Sequence, residues 1–342
     1  MILGWFVAIC VNARVLDANE LYQCTSTKAG TILVSDQYED AVQYQNQLIL
    51  GNSRGLVFLD IDDLEGEALH VEGLPGVVSR VFRSGQQLWA IVQDVGLYVY
   101  EYQGDAALPT PTVFYPVAGI RHAVLAGGNV FAANAEEIIH YRISPNGLFE
   151  LDRRELVVKK IAADEQLVFL HEPAGNISVL PYQTAGFSGN VKALTLADNS
   201  VFYNFDYVNG LLVVDALDGI KWVRFGPAGD ITEQGSFKEN QGRDILLGFA
   251  VDESLLVLSF ADRIEVHSYD AQLRLTLLGS IDLPSFADVG ITKVVPAGEY
   301  IHLLNTALQG RDWSLRSYRT QLSSFPEIAR RPASFIDMVG AA

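Results

Sequence analysis

The 342-residue chain is 49% hydrophobic and 19% charged, with positive mean hydropathy, so it can bury a large core and general disorder is excluded. A net charge of −17 and a pI near 4.7 oppose binding to DNA, RNA or anionic lipid, each of which is itself negative. The same acidity keeps a compact apolar-rich protein soluble, and no segment has the roughly 18 uninterrupted apolar residues of a membrane span.

The first thirteen residues support two readings. They resemble the apolar part of a secretory signal, with Val11 and Ala13 placed for cleavage, but no Lys or Arg precedes the apolar run. The favoured reading makes them strand, because Asn12 lies 43 residues before Gly55 and is followed by Ala13, Val15 and Ala18 at offsets that recur later. Strands are expected over 5–11, 14–18 and 20–26. Cys10 and Cys24, the two cysteines of the chain, then stand two strand spacings apart, roughly 9 to 10 Å. That exceeds what a disulfide tolerates, and two unpaired thiols favour a reducing, cytoplasmic setting. A cleaved signal would instead imply a secreted or periplasmic protein.

From there a single pattern repeats. Turns at Gly55, Gly96, Glu137, Asn176, Gly219, Arg263 and Asp312 are spaced by 41, 41, 39, 43, 44 and 49 residues. One residue after each stand Leu56, Leu97, Ile138, Ile177, Ile220, Ile264 and Trp313, and six after stand Ile61, Tyr102, Ile143, Tyr182, Phe225, Tyr269 and Tyr318. The offset between carries Phe58, Val99, Val179, Trp222, Val266 and Leu315, with His140 as the exception. This period is the length of a four-stranded propeller blade. Upstream of each turn lies a tighter one rich in Gly, Asn or Asp, such as Ala126-Gly-Gly-Asn129 and Val208-Asn-Gly210, which supplies the positive φ of short hairpins. Apolar runs such as Leu48-Ile-Leu50, Leu167-Val-Phe-Leu170 and Leu255-Leu-Val-Leu258 follow, and they suit strands buried on both faces. No convincing helix is present.

Seven units occupy about residues 39–328, leaving chain at both ends. The expected fold is an all-β, eight-bladed β-propeller forming a single domain over 1–342, with its first blade assembled from 1–36 and 333–342 so that no sheet edge is left open. Seven blades are the alternative.

Gly55-Leu-Val-Phe-Leu-Asp-Ile-Asp-Asp63 and Gly210-Leu-Leu-Val-Val-Asp-Ala-Leu-Asp218 resemble the repeat of LVIVD-type β-propeller proteins, and Gly96-Leu-Tyr-Val-Tyr100 shares part of it. Asp215-Ala-Leu-Asp-Gly-Ile-Lys-Trp222 faintly resembles the quinoprotein repeat. The LVIVD resemblance implies architecture and carries no catalytic residues with it.

Chemistry-bearing motifs are few. Asp60-Ile-Asp-Asp-Leu-Glu-Gly66 has oxygen ligands but the wrong spacing for a calcium loop, with Leu64 and Gly66 out of place. The histidines, His70, His122, His140, His171, His267 and His302, show no metal-ligand spacing. Nucleophile elbow, phosphate-loop and dinucleotide patterns are missing, so no cofactor is expected and enzyme status stays open, with non-catalytic favoured. Asn176-Ile-Ser178 is a glycosylation triplet at an expected exposed turn.

The best candidate site is positional. Innermost strands are expected to begin near Asp40, Arg80, His122, Lys160, Asp244 and Lys293, with Asp337 in the closing strand. Arg80, His122, Lys160 and Lys293 would then form a basic rim around one mouth of the central channel, suited to an anionic ligand or acidic partner segment. Loops at 103–110, 184–190 and 305–312 are further recognition candidates. The expected function is a scaffold for a protein partner. The alternatives are an enzyme or small-ligand receptor at the channel mouth and a secreted or surface recognition protein.

Overall fold

The structure, a computed structural model, describes residues 24–25, 31–35, 38–64, 68–102, 111–196, 201–239, 246–260, 262–282, 289–290, 293–297, 300–304, 307–308, 314–319, 327–332 and 335–339. Seven antiparallel sheets follow one another around a ring, and within each the strands are hydrogen-bonded in sequence order. Their innermost strands are Tyr38–Tyr44, Val78–Ser84, His122–Ala126, Lys160–Ala163, Phe202–Val208, Leu246–Val251 and Lys293–Ala297, defining blades one to seven. In blade four the outermost strand is split, with Gly186–Phe187 and Lys192–Ala193 both pairing with Ile177–Gln183. Among the described residues the helical element is a single 3₁₀ turn, Ile61–Asp63.

The turn chemistry works as its residues dictate. Hairpins between first and second strands use Gln45, Gly85, Gly127, Gly128, Asn209 and Gly210 at positive φ. At the turn from second to third strand Gly96 has φ 153, and a Cβ there would lie 2.3 Å from the Tyr115 carbonyl oxygen, so no side chain fits. The second strands are buried throughout, as in Leu211–Ala216 and Leu255–Phe260. Seven apolar clusters fill the seams between neighbouring blades.

The expectation of eight blades is corrected to seven. Blade seven packs directly on blade one, where Val295, Tyr300 and Leu304 share a cluster with Ala41, Leu48, Leu50 and Val57. The seam closes through side-chain packing without a strand shared across it, and no room remains for another blade. The chain ends do meet: Thr31–Ser35 pairs antiparallel with Phe335–Val339 and with Cys24–Thr25, in a separate three-stranded sheet. Asp337 stands opposite Leu33 in that sheet and not in the ring. Residues 1–23, Cys10 among them, lie outside the described residues, as do the 103–110 loop and Asp244.

The two segments that resemble LVIVD repeats occupy different places in their blades. Gly55–Asp60 is a third strand, whereas Leu211–Ala216 is a second strand. Their likeness is that of buried strands following a turn. The Asn176 triplet is also less open than expected, since Asn176 is half-buried and Ser178 is buried.

Candidate functional site: one mouth of the central channel

Strand register places seven residues at equivalent positions near the start of the seven innermost strands: Asp40, Arg80, His122, Lys160, Asn204, Gly248 and Lys293. They form one layer at a mouth of the channel. Alternate residues, including Ala41, Val81, Ala123, Ile161 and Phe205, belong to the apolar clusters between blades. Period-two alternation therefore divides each innermost strand between seam and channel. All four residues expected at the rim lie in this layer. Sequence reading named no residue at this position for blade five, where Asn204 stands, and put the blade-six start near Asp244, four residues before Gly248.

Bulges recur at these strand starts. The pairing of first with second strand slips between Tyr38 and Asp40, Val78 and Arg80, Phe202 and Asn204, and Leu246 and Gly248, so Glu39, Ser79, Tyr203 and Leu247 are extra residues at the same place in four blades. A bulge bends its strand and re-aims the side chain it inserts.

The layer is cross-linked from blade to blade. Lys293 donates to Asp40, whose carboxylate also accepts from the amides of Ala41 at 2.8 Å and Val81 at 2.9 Å. Arg80 donates to the carbonyl oxygens of Ala123 and Ile161, each at 3.3 Å, reaching past one blade to the next. Lys160 donates to Asn204 Oδ1 at 3.2 Å and to Asp206, and lies 5.5 Å from the centre of the Phe205 ring. His122 is held neutral: burial, followed by the nearby Arg80 and Arg121, pushes its pKa down to about 4. Burial, then Asp40, raises the carboxyl pKa of Glu39. Lys160 and Lys293 are thus partnered by carboxylates, whereas Arg80 is met among the described residues by carbonyl oxygens. Arg80, Lys160 and Lys293 border a cavity of about 540 Å³ that is lined also by Gln43, Asp206 and Tyr207.

The other candidates have local partners. Asp60 and Asp62 both accept from Asn46, at 2.8 and 2.9 Å. His140 Nε2 pairs with Asn129 at 2.9 Å, and His302 Nδ1 with Ser317 at 2.8 Å. His171 Nε2 faces the Phe202 carbonyl at 3.1 Å and His267 Nε2 faces Glu265 at 3.0 Å, while His70 is exposed. The 305–312 region contains Ala307–Leu308, which pairs with Val289–Gly290.

No protein-family profile and no curated protein matches the sequence. Solved structures do match in shape. A Bacteroides fragilis protein described as a candidate 6-phosphogluconolactonase is 12% identical, with a TM-score of 0.58 over 92% of this chain and 99% of its own. Hsv2 of Kluyveromyces lactis is 12% identical, with a TM-score of 0.56 over 88% of this chain and 100% of its own. The computationally designed Ika8 protein is 14% identical, with a TM-score of 0.55 over 91% of this chain and 90% of its own. At such identities the likeness shows the fold alone, a β-propeller.

Proposed function

We propose that the protein is a non-catalytic β-propeller scaffold that holds an acidic partner segment against the channel mouth formed by Arg80, His122, Lys160 and Lys293. The observation that carries this reading is Arg80, whose guanidinium spans two neighbouring innermost strands through carbonyl oxygens at 3.3 Å and has donors left to offer a carboxylate. A rigid ring carrying polar groups at one opening suits recognition. The cavity of about 540 Å³ behind the mouth favours a second reading, a small anionic ligand seated in the channel.

Titration with a fluorescein-labelled oligoglutamate, followed by anisotropy, tests the reading. Arg80→Gln should weaken binding by about tenfold or more, and raising salt should weaken it further because exposed charges are screened within about 8 Å at physiological ionic strength. Glutamine is the informative substitution. A reversal to Glu would turn a carboxylate toward the Ala123 and Ile161 carbonyls and damage the fold as well as the site. Affinity unchanged by both the substitution and salt would place the working surface elsewhere.

A further inference from the structure

Arg80 offers one side of its guanidinium to its neighbours and keeps the other. Its bonds to the Ala123 and Ile161 carbonyl oxygens, each 3.3 Å, both leave from Nη1. Nε and Nη2 make no hydrogen bond among the described residues, and these two donors lie side by side as a carboxylate needs them for a two-point contact. Arg80 is half-buried and borders the cavity of about 540 Å³.

The other two cations on that cavity are already neutralised, Lys160 by Asp206 and Lys293 by Asp40. Among the described residues Arg80 is therefore the lining cation that no carboxylate meets, and the cavity can balance one negative charge. A second charge on a ligand would have to draw a lysine from its carboxylate or stay unpaired beside Asp206, and an unpaired charge in a part-buried site is costly. Apolar surface completes the lining. Val42, Ala162, Val251 and Val294, from blades one, four, six and seven, border the same cavity. Each is half-buried, so apolar area is left for a ligand to cover.

We infer that the channel seats a small carboxylate of single charge with an aliphatic body, its carboxylate on Nε and Nη2 of Arg80 and its chain against Val42, Ala162, Val251 and Val294. This rests on the small-anion reading of the channel and names the class of anion. The cavity has the volume of a small-molecule site. A phosphate monoester carries nearly two charges at neutral pH and fits the single open cation less well.

Isothermal titration calorimetry of the intact protein with hexanoate, butyrate, hexanamide and adipate tests the inference. Hexanoate should bind about tenfold more tightly than butyrate, which has the charge and less chain, and about tenfold more tightly than hexanamide, which has the chain and no charge. Adipate, of the same length with a second carboxylate, should also bind about tenfold more weakly than hexanoate. Arg80→Gln should bring hexanoate down to the level of hexanamide, with thermal melting to verify that the variant is folded. Hexanoate binding unchanged in a folded Arg80→Gln overturns the inference. Adipate binding as tightly as hexanoate, or butyrate as tightly as hexanoate, overturns the single charge or the aliphatic body and leaves the small-anion reading standing. Equal binding of hexanoate and hexanamide, or no binding by any of the four, overturns the small-anion reading together with the inference.

Discussion

Asp215 sits in a wholly buried strand, 7% exposed, and burial raises its carboxyl pKa from 3.8 to about 6. The folded state holds the proton more tightly than the unfolded chain, so the penalty grows as pH rises from about 4 to 6 and is complete above it. Asp215→Asn should therefore stabilise the fold at pH 7.5 by something on the order of 1–3 kcal/mol, seen as a raised melting midpoint, with the gain fading toward pH 4. The buried histidines work in the opposite direction. Burial lowers His140 and His302 from 6.5 to about 4, so the unfolded chain takes up protons that the folded state refuses. Their stabilisation is present above pH 6.5 and lost as pH falls toward 4. Melting curves between pH 7 and 4.5 should show a fall that is shallower in His302→Gln, where no imidazole titrates. His140 was visible in the sequence as the one break in an apolar column. Its environment, against Phe131, Tyr182 and Phe187 with Asn129 as partner, comes from strands no local pattern relates.

At the level of the strand and turn, the tyrosine six places after two of the anchors acquires a physical role. The Tyr182 hydroxyl donates to the Asp164 carbonyl at 2.7 Å, and Tyr269 does the same to Asp252, each fastening its third strand to the hairpin between the first two. Asp164 itself accepts from the amides of Gln166 and Leu167, and from the Tyr207 hydroxyl of the next blade at 2.7 Å. Tyr182→Phe should cost about 1 kcal/mol in urea unfolding, with the slope unchanged, because one hydrogen bond is lost and the ring stays packed. Tyr207→Phe should cost more, since it leaves the Asp164 carboxylate short of a donor between two blades. The aromatic column was legible as a repeat; its hydrogen bonds were not, because they join a side chain to a turn about 18 residues upstream.

For the ring as a whole, stability rests on the seam between blades seven and one. Leu304 is fully buried there among residues from both ends of the chain. Leu304→Ala should cost about 2–5 kcal/mol through lost burial and the cavity left behind. Removing residues 333–342 should lower the melting midpoint less than Leu304→Ala does, because Phe335–Val339 pairs with Thr31–Ser35 in a sheet that shares no strand with the blades. Differential scanning calorimetry of the two variants beside the parent protein compares the closures directly. A larger effect from the truncation would make the terminal sheet the principal clasp.

The anchors from Gly55 to Arg263, their spacing and the buried second strands were written in the sequence, since a blade repeats its turn chemistry and its apolar offsets wherever it occurs, while Asp312 and Trp313 lie outside the described residues. Arg80, His122, Lys160 and Lys293 were likewise legible as residues near the starts of innermost strands. Blade number was decided only in three dimensions: the curvature that lets Leu304 meet Leu50 is the sum of all the seams, and no single repeat encodes it. Tertiary structure also decided the partners of the rim residues. Lys293 finds Asp40 across 253 positions of chain, and Arg80 finds a carbonyl 81 positions away, because ring closure brings the innermost strands together whatever their separation in sequence.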